Sequence, residues 1–186
     1  MNVMDEVNKY RDYAVNMRRE FHRHPELSWQ EIHTARRIRE ELKHMGIPYV
    51  ETAGTGTIAT IKGKKGHPVI GLRCDIDALP IQEVKTLPLR SENQGVMHAC
   101  GHDGHISMLL TAAHVLAEHQ DELECTVKLI FQPAEEHTDG ALKVLDSGQL
   151  GKLDTVAGMH LLPMLECGTI SVDPGPRYTS ASFMRI

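Results

Sequence analysis

Apolar positions along this chain change period several times, and the changes mark out its elements. Val3, Val7, Tyr10, Ala14 and Met17 recur at helical spacing and run out at Arg18-Arg19, which predicts one N-terminal helix. Pro25 breaks it. Ser28-x-x-Glu31 reads as a capping box opening a second helix, with Ile32, Ala35, Ile38, Leu42 and Met45 on one face and Gly46 and Pro48 as its stop. Strand-like runs follow at Thr57-Ile58-Ala59-Thr60-Ile61 and Val69-Ile70-Gly71-Leu72, separated by a Gly63-Lys64-Lys65-Gly66 turn. Further on, Ile106, Leu109, Leu110, Ala113 and Leu116 form the apolar stripe of a third helix. Residues 125–131 read as a buried strand, 140–145 as a short helix and 154–160 as a last strand. Strands alternating with helices argue for an α/β sheet in one domain, with no repeat, low-complexity tract or linker to divide it.

Composition narrows the function classes. With 186 residues, 41% of them hydrophobic and 24% charged, the chain can bury a sizeable core. A formal charge of −5 and only 4% aromatic residues argue against a nucleic-acid or anionic-membrane partner. No stretch approaches a membrane span, and Asp5, Glu6 and Lys9 stand where a signal peptide needs an apolar run. The cysteines at 74, 100, 125 and 167 form no Cys-x-x-Cys, so neither a disulfide framework nor a zinc ribbon is indicated, and a cytoplasmic location is expected. Gly54-Thr55-Gly56 and the Gly-Lys-Lys-Gly turn lack the spacing of a phosphate loop.

The stretch that changes the picture is Met97-His98-Ala99-Cys100-Gly101-His102-Asp103-Gly104-His105, one thiol, three imidazoles and a carboxylate among small residues. It lies just before the third helix, so the helix dipole is expected to lower the pKa of Cys100 towards the thiolate that binds metal. Among the twelve histidines, His33, His44, His114 and His119 read as solvated or packed, and His22 and His24, before a proline, as structural. Asp75 and Asp77 follow one predicted strand, Glu135 and Glu136 a second, and His160 closes a third. All five therefore sit at carboxyl ends of strands, the edge where α/β sheets bind ligands. Added to Cys100 and His102, they make a borderline-soft donor set suited to zinc, manganese or cobalt rather than calcium or magnesium. That points to a one- or two-metal hydrolase. Adjacent residues of an extended backbone point opposite ways, so one of Glu135 and Glu136 is expected to bind metal and the other to face substrate as general base.

Five ordered stretches carry a family resemblance. They are Arg18-Arg19-x-x-His22-x-x-Pro25-Glu26-Leu27, Asp75-Ile76-Asp77-Ala78-Leu79-Pro80, the residues 98–105, Phe131-Gln132-Pro133-Ala134-Glu135-Glu136 and Gly158-Met159-His160. Together they resemble the aminoacylase-type zinc metallopeptidases, in the branch of hippurate hydrolase, N-acyl-amino-acid amidohydrolases and plant auxin-conjugate hydrolases. The resemblance implies a three-layer catalytic domain whose mostly parallel sheet has helices on both faces. It implies Cys100 as a bridging thiolate, His102, Glu136 and His160 as further ligands of one or two divalent ions, and Glu135 as general base and later proton donor. Asp77 matches an acid that supports the catalytic centre, while Asp75 stands where related branches have a histidine ligand. The implied reaction is hydrolysis, by metal-activated water, of the amide in an N-acyl amino acid or short peptide.

Members of that family are longer. The resemblance therefore implies that residues 1–178 are the N-terminal portion of a catalytic domain and that 179–186 begin a satellite domain through which full-length relatives form homodimers. It also implies a further histidine ligand, and the groups that grip the substrate's carboxylate, beyond residue 186. A non-catalytic metal-binding fragment is the competing reading. A metal phosphohydrolase, suggested by His102-Asp103, is weaker, because such folds are helical.

Overall fold

The structure is a computed structural model that describes residues 2–84 and 88–175, so the expected satellite start at 179–186 lies outside the described residues. Helices α1 (Val3–Lys9), α2 (Arg11–Arg23) and α3 (Ile32–His44) precede strands β1 (Tyr49–Thr52), β2 (Gly56–Lys62) and β3 (Val69–Asp75). Helix α4 (His102–Glu118), a one-turn 3-10 helix (Gln120–Glu122), β4 (Thr126–Gln132), α5 (Gly140–Asp146) and β5 (Thr155–Gly158) complete the described elements.

The strands form a single sheet in the order β1-β2-β4-β3-β5. Its centre is parallel: β3 pairs with β4 and with β5 in parallel, whereas β2 runs antiparallel to both β1 and β4. Four of the five strands thus point the same way. Asp75 lies opposite Gln132 and Arg73 opposite Gly158, so the carboxyl ends of β3, β4 and β5 reach one edge in register.

Alternation along β4 builds the layers, because successive side chains leave opposite faces of a strand. Val127, Leu129 and Phe131 join Phe21 of α2, Ile38 and Leu42 of α3 and Leu110 of α4 in the main core. Ile130 faces the other way, with Ile58, Val144 of α5 and Leu150. Helices therefore cover both faces of the sheet, as the resemblance implied. Among the described residues, no helix is long and apolar enough to cross a membrane.

Two local expectations give way to tertiary contacts, and one strand forms unannounced. The predicted N-terminal helix is two helices, interrupted at Tyr10, whose ring stacks on His114 with centroids 4.7 Å apart. Strand β1 has no alternating pattern to announce it and forms by pairing Val50 and Glu51 with Ile58 and Thr57 of β2. The capping box does not form. Glu26 caps α3 instead, one carboxylate oxygen accepting the His33 amide at 3.0 Å and the other the Thr34 amide at 2.7 Å and hydroxyl at 2.9 Å.

A carboxylate on the first free amides of a helix also meets the positive end of its dipole. Glu26→Ala is accordingly expected to lower unfolding stability by about 1–2 kcal/mol. The check is the urea midpoint at unchanged slope; no shift would mean that water replaces the cap.

Candidate metal centre and active site

The residues singled out at the sheet edge do come together. His102 is the first residue of α4 and is 1% exposed. Its Nδ1 lies 2.8 Å from the backbone carbonyl oxygen of Asp77, which can only accept, so Nδ1 carries the proton and Nε2 presents its lone pair to the cluster. Nε2 is 3.8 Å from Glu136 Oε1 and 3.9 Å from Glu135 Oε2. Cys100 and His160 complete the group, with Sγ and Nε2 3.3 Å apart. His160 Nδ1 donates to the Leu161 carbonyl at 2.8 Å, so the proton sits on Nδ1 and Nε2 faces the thiol with its lone pair. One donor atom from each of Cys100, His102 and His160 lies within 4.8 Å of the others, and the same holds for His102, Glu135 and Glu136.

Asp77 sits beneath this group, fully buried. Its Oδ2 accepts the Ser28 hydroxyl at 2.6 Å and the Glu136 amide at 3.0 Å, and its backbone oxygen orients His102. Burial favours its neutral form, yet the hydrogen bonds from His102, Ser28 and the Glu136 amide outweigh that and hold its pKa below the ordinary range. Asp77 therefore supports the cluster from behind as a buried anion.

Asp75 also borders the group, with its Oδ2 3.6 Å from His102 Nε2, but its hydrogen bonds go to other partners. Its Oδ1 accepts His105 Nδ1–H at 2.6 Å and its Oδ2 the Arg73 guanidinium at 2.8 Å. His105 Nε2 in turn accepts the Leu161 amide at 2.9 Å, so Asp75 secures the segment that carries His160. Gly104 makes room for this contact, since a Cβ there would lie 2.5 Å from Leu161 Cδ1. Ser28 and His105 are supporting residues that sequence reasoning did not assign. Their partners Asp77 and Leu161 are 49 and 56 positions away, so neither the capping-box pattern around Ser28 nor the donor stretch around His105 shows this supporting role.

Two site expectations are corrected. Glu135 and Glu136 do not point apart. The chain turns after Pro133 instead of continuing extended, and both carboxylates approach the same His102 Nε2. The Cys100 thiol is not activated by the helix terminus either: burial, then the charges of Glu136, Glu135 and Asp75, push it up to about 12. The same surroundings are what a cation would neutralise. His102 Nε2 and Glu136 Oε1 are buried without a hydrogen-bond partner, so an electron-pair acceptor fits between them.

Of the other histidines, His98 is buried with neither nitrogen hydrogen-bonded, 6.5 Å from His102 between ring centroids and outside the converging donors. His22 is structural. Its Nδ1 lies 2.9 Å from Asp103 Oδ2, which Arg18 Nε also reaches at 3.3 Å, and its Nε2 lies 3.4 Å from Glu83. The Asp103 hydrogen bond, aided by Glu83, raises the His22 pKa above 6.5 despite burial. A raised folded value contributes stability that is complete below pH 6.5 and disappears as pH climbs through the folded pKa. Melting temperature should therefore decline on that alkaline side, and His22→Gln should flatten the profile there. An unchanged profile in the variant would assign the dependence to other groups.

Comparison with known proteins identifies the family. A family model for peptidase family M20/M25/M40 matches residues 71–183, which include Asp75, Asp77 and all the clustered donors. The chain belongs to peptidase family M20/M25/M40. Among M20 relatives, N-acetylcysteine deacetylase of Bacillus subtilis is 46% identical over 92% of this chain, and IAA-amino acid hydrolase ILR1-like 4 of Arabidopsis thaliana is 40% identical over 96%. The crystal structure of the Bacillus subtilis YXEP protein, a dinuclear metal-binding peptidase from the M20 family, superposes with a TM-score of 0.87 over 91% of this chain at 47% identity. The chain spans 46%, 40% and 48% of these three proteins, about half of each. Deacetylase and auxin-conjugate hydrolase relatives correspond to the branch that the motifs implied.

Proposed function

We propose that this chain carries the metal site and general base of an amidohydrolase that cleaves the amide bond of N-acyl amino acids or short peptides. The observation that carries the reading is the convergence of Cys100 Sγ, His102 Nε2, His160 Nε2 and the Glu135 and Glu136 carboxylates, with His102 Nε2 and Glu136 Oε1 buried and unbonded. Cys100, His102, Glu136 and His160 would hold one or two divalent ions, zinc or manganese, with cobalt compatible. The dinuclear M20 relative supports two. A bound divalent ion would supply Lewis acidity, polarising the scissile carbonyl and acidifying water.

The protein's own groups do the rest. Glu135 is more exposed than Glu136 and stands at the open side, where it takes a proton from the attacking water and returns it to the leaving amine. Asp77 and Ser28 keep His102 and the Glu136 amide in place, so the donors need little reorganisation. All four cysteines are free thiols, which supports a reducing, cytoplasmic setting.

The test is release of free amine from N-acetyl amino acids and an N-benzoyl amino acid, with manganese, zinc or cobalt supplied and then chelated. Hydrolysis that follows the metal supports the reading. Metal binding without hydrolysis favours a non-catalytic metal-binding fragment, and cleavage of phosphate esters alone would sink the amidase assignment.

A further inference from the structure

We propose that Glu31 is a positioning residue of this centre: its buried carboxylate holds the turn from Pro133 to Glu136 in the conformation that brings Glu135 and Glu136 to His102. The inference rests on the reading of those two residues as base and metal ligand.

Glu31 is 0% exposed, and the α3 amides it was expected to help cap are served by Glu26. Its carboxylate reaches across the fold instead. Oε1 accepts the Ala134 amide at 2.8 Å, and Oε2 accepts the Thr55 hydroxyl at 2.7 Å. Ala134 has φ 49°, in the left-handed region that residues with a Cβ seldom adopt. Such a conformation persists only where its surroundings enforce it.

Here they do so from two sides. Glu31 takes the Ala134 N–H, and Gly140, at the start of α5, packs so closely that a Cβ there would run into the Pro133 and Ala134 carbonyls. One turn further, Asp77 takes the Glu136 amide. Two buried carboxylates thus anchor the amides of 134 and 136, and the Glu135 and Glu136 side chains are left to reach within 3.9 and 3.8 Å of His102 Nε2. Glu31 acts on the centre only through this turn. A stretch that reads as a helix cap in the sequence therefore belongs to the geometry of the site.

The test compares two variants of similar bulk. Glu31→Met offers no acceptor, whereas Glu31→Gln keeps an oxygen for the Ala134 amide. Manganese affinity is read by titration calorimetry, and amide hydrogen exchange at Ala134 and Glu136 is read without metal. Glu31→Met should bind on the order of 10- to 100-fold more weakly and exchange faster at both amides, while Glu31→Gln stays close to the parent. Adding Ala134→Gly to Glu31→Met should restore part of the affinity, because glycine takes positive φ without support, a rescue that a general loss of packing would not show. A folded Glu31→Met with parental affinity and exchange overturns the proposal. If Glu31→Met does not fold, Thr55→Val decides, since it removes only the hydroxyl on Oε2: weaker binding and faster exchange support the proposal, and parental values overturn it. If the parent chain binds no manganese, the metal reading fails by itself, and exchange at 134 and 136 still decides the role of Glu31.

Discussion

Glu135→Gln is expected to lower kcat for N-acetyl amino acid hydrolysis by about 10²- to 10⁴-fold, in this chain or in the shortest longer polypeptide containing it that turns over. The amide keeps the size of the side chain and can still hydrogen-bond, but it cannot accept a proton from water. Its neighbours are unaffected: Glu136 keeps its amide bond to Asp77, and His102 keeps its bond to the Asp77 carbonyl. Metal content should therefore be retained, and KM should change far less than kcat, the pattern of an interaction made in the transition state. Steady-state kinetics with metal analysis on the same preparation is the measurement. Normal turnover by Glu135→Gln would remove it as the base and transfer that role to another group at the open side.

Cys100→Ser and His160→Ala are each expected to abolish metal that survives dialysis. Their donor atoms are 3.3 Å apart although they come from distant parts of the chain, one before α4 and one after β5. Replacing a supporting residue of a metal site costs about 10- to 100-fold in affinity, and loss of a direct ligand should exceed that. The same loss should appear in stability. A ligand at 100 times its Kd stabilises the folded state by about 2.7 kcal/mol, so metal should raise the melting temperature of the parent chain and leave both variants unmoved. Elemental analysis and melting with and without metal give two independent readouts. Full metal retention in Cys100→Ser would exclude the thiolate from the ligand set. Retention in His160→Ala would show that the segment after β5 is held by its Leu161–His105 bond without contributing a ligand.

Much of the architecture was legible because it is written in periodicity. The β2, β3 and β4 runs, α3, α4 and α5 were all anticipated within a few residues, since each presents an apolar face to one of two cores, and β5 was anticipated as well although its residues are exposed. What failed was local chemistry with a distant competitor. Ser28 and Glu31 have the spacing of a capping box, but Ser28 bonds Asp77 and Glu31 bonds Ala134 and Thr55. Tyr10 fits a continuous helical stripe, but its ring packs on His114 and its hydroxyl bonds Glu118. In both cases a long-range partner offered a better hydrogen bond or contact than the local motif, and nothing within a few residues signals which will win.

The sequence by itself determined which groups of this protein gather at one edge. A residue that follows a strand of a parallel sheet must emerge at that strand's carboxyl end, so the order of the chain alone commits Asp75, Asp77, Glu135, Glu136 and His160 to a common edge. Tertiary structure alone decided what each does there. It turned Glu135 and Glu136 towards one imidazole, bound Asp75 to Arg73 and His105, surrounded Cys100 with carboxylates and placed Glu31 beneath the turn. Direction, protonation and burial depend on neighbours tens of residues away in the chain. The pattern of a segment encodes the face it presents, not the group that will meet it.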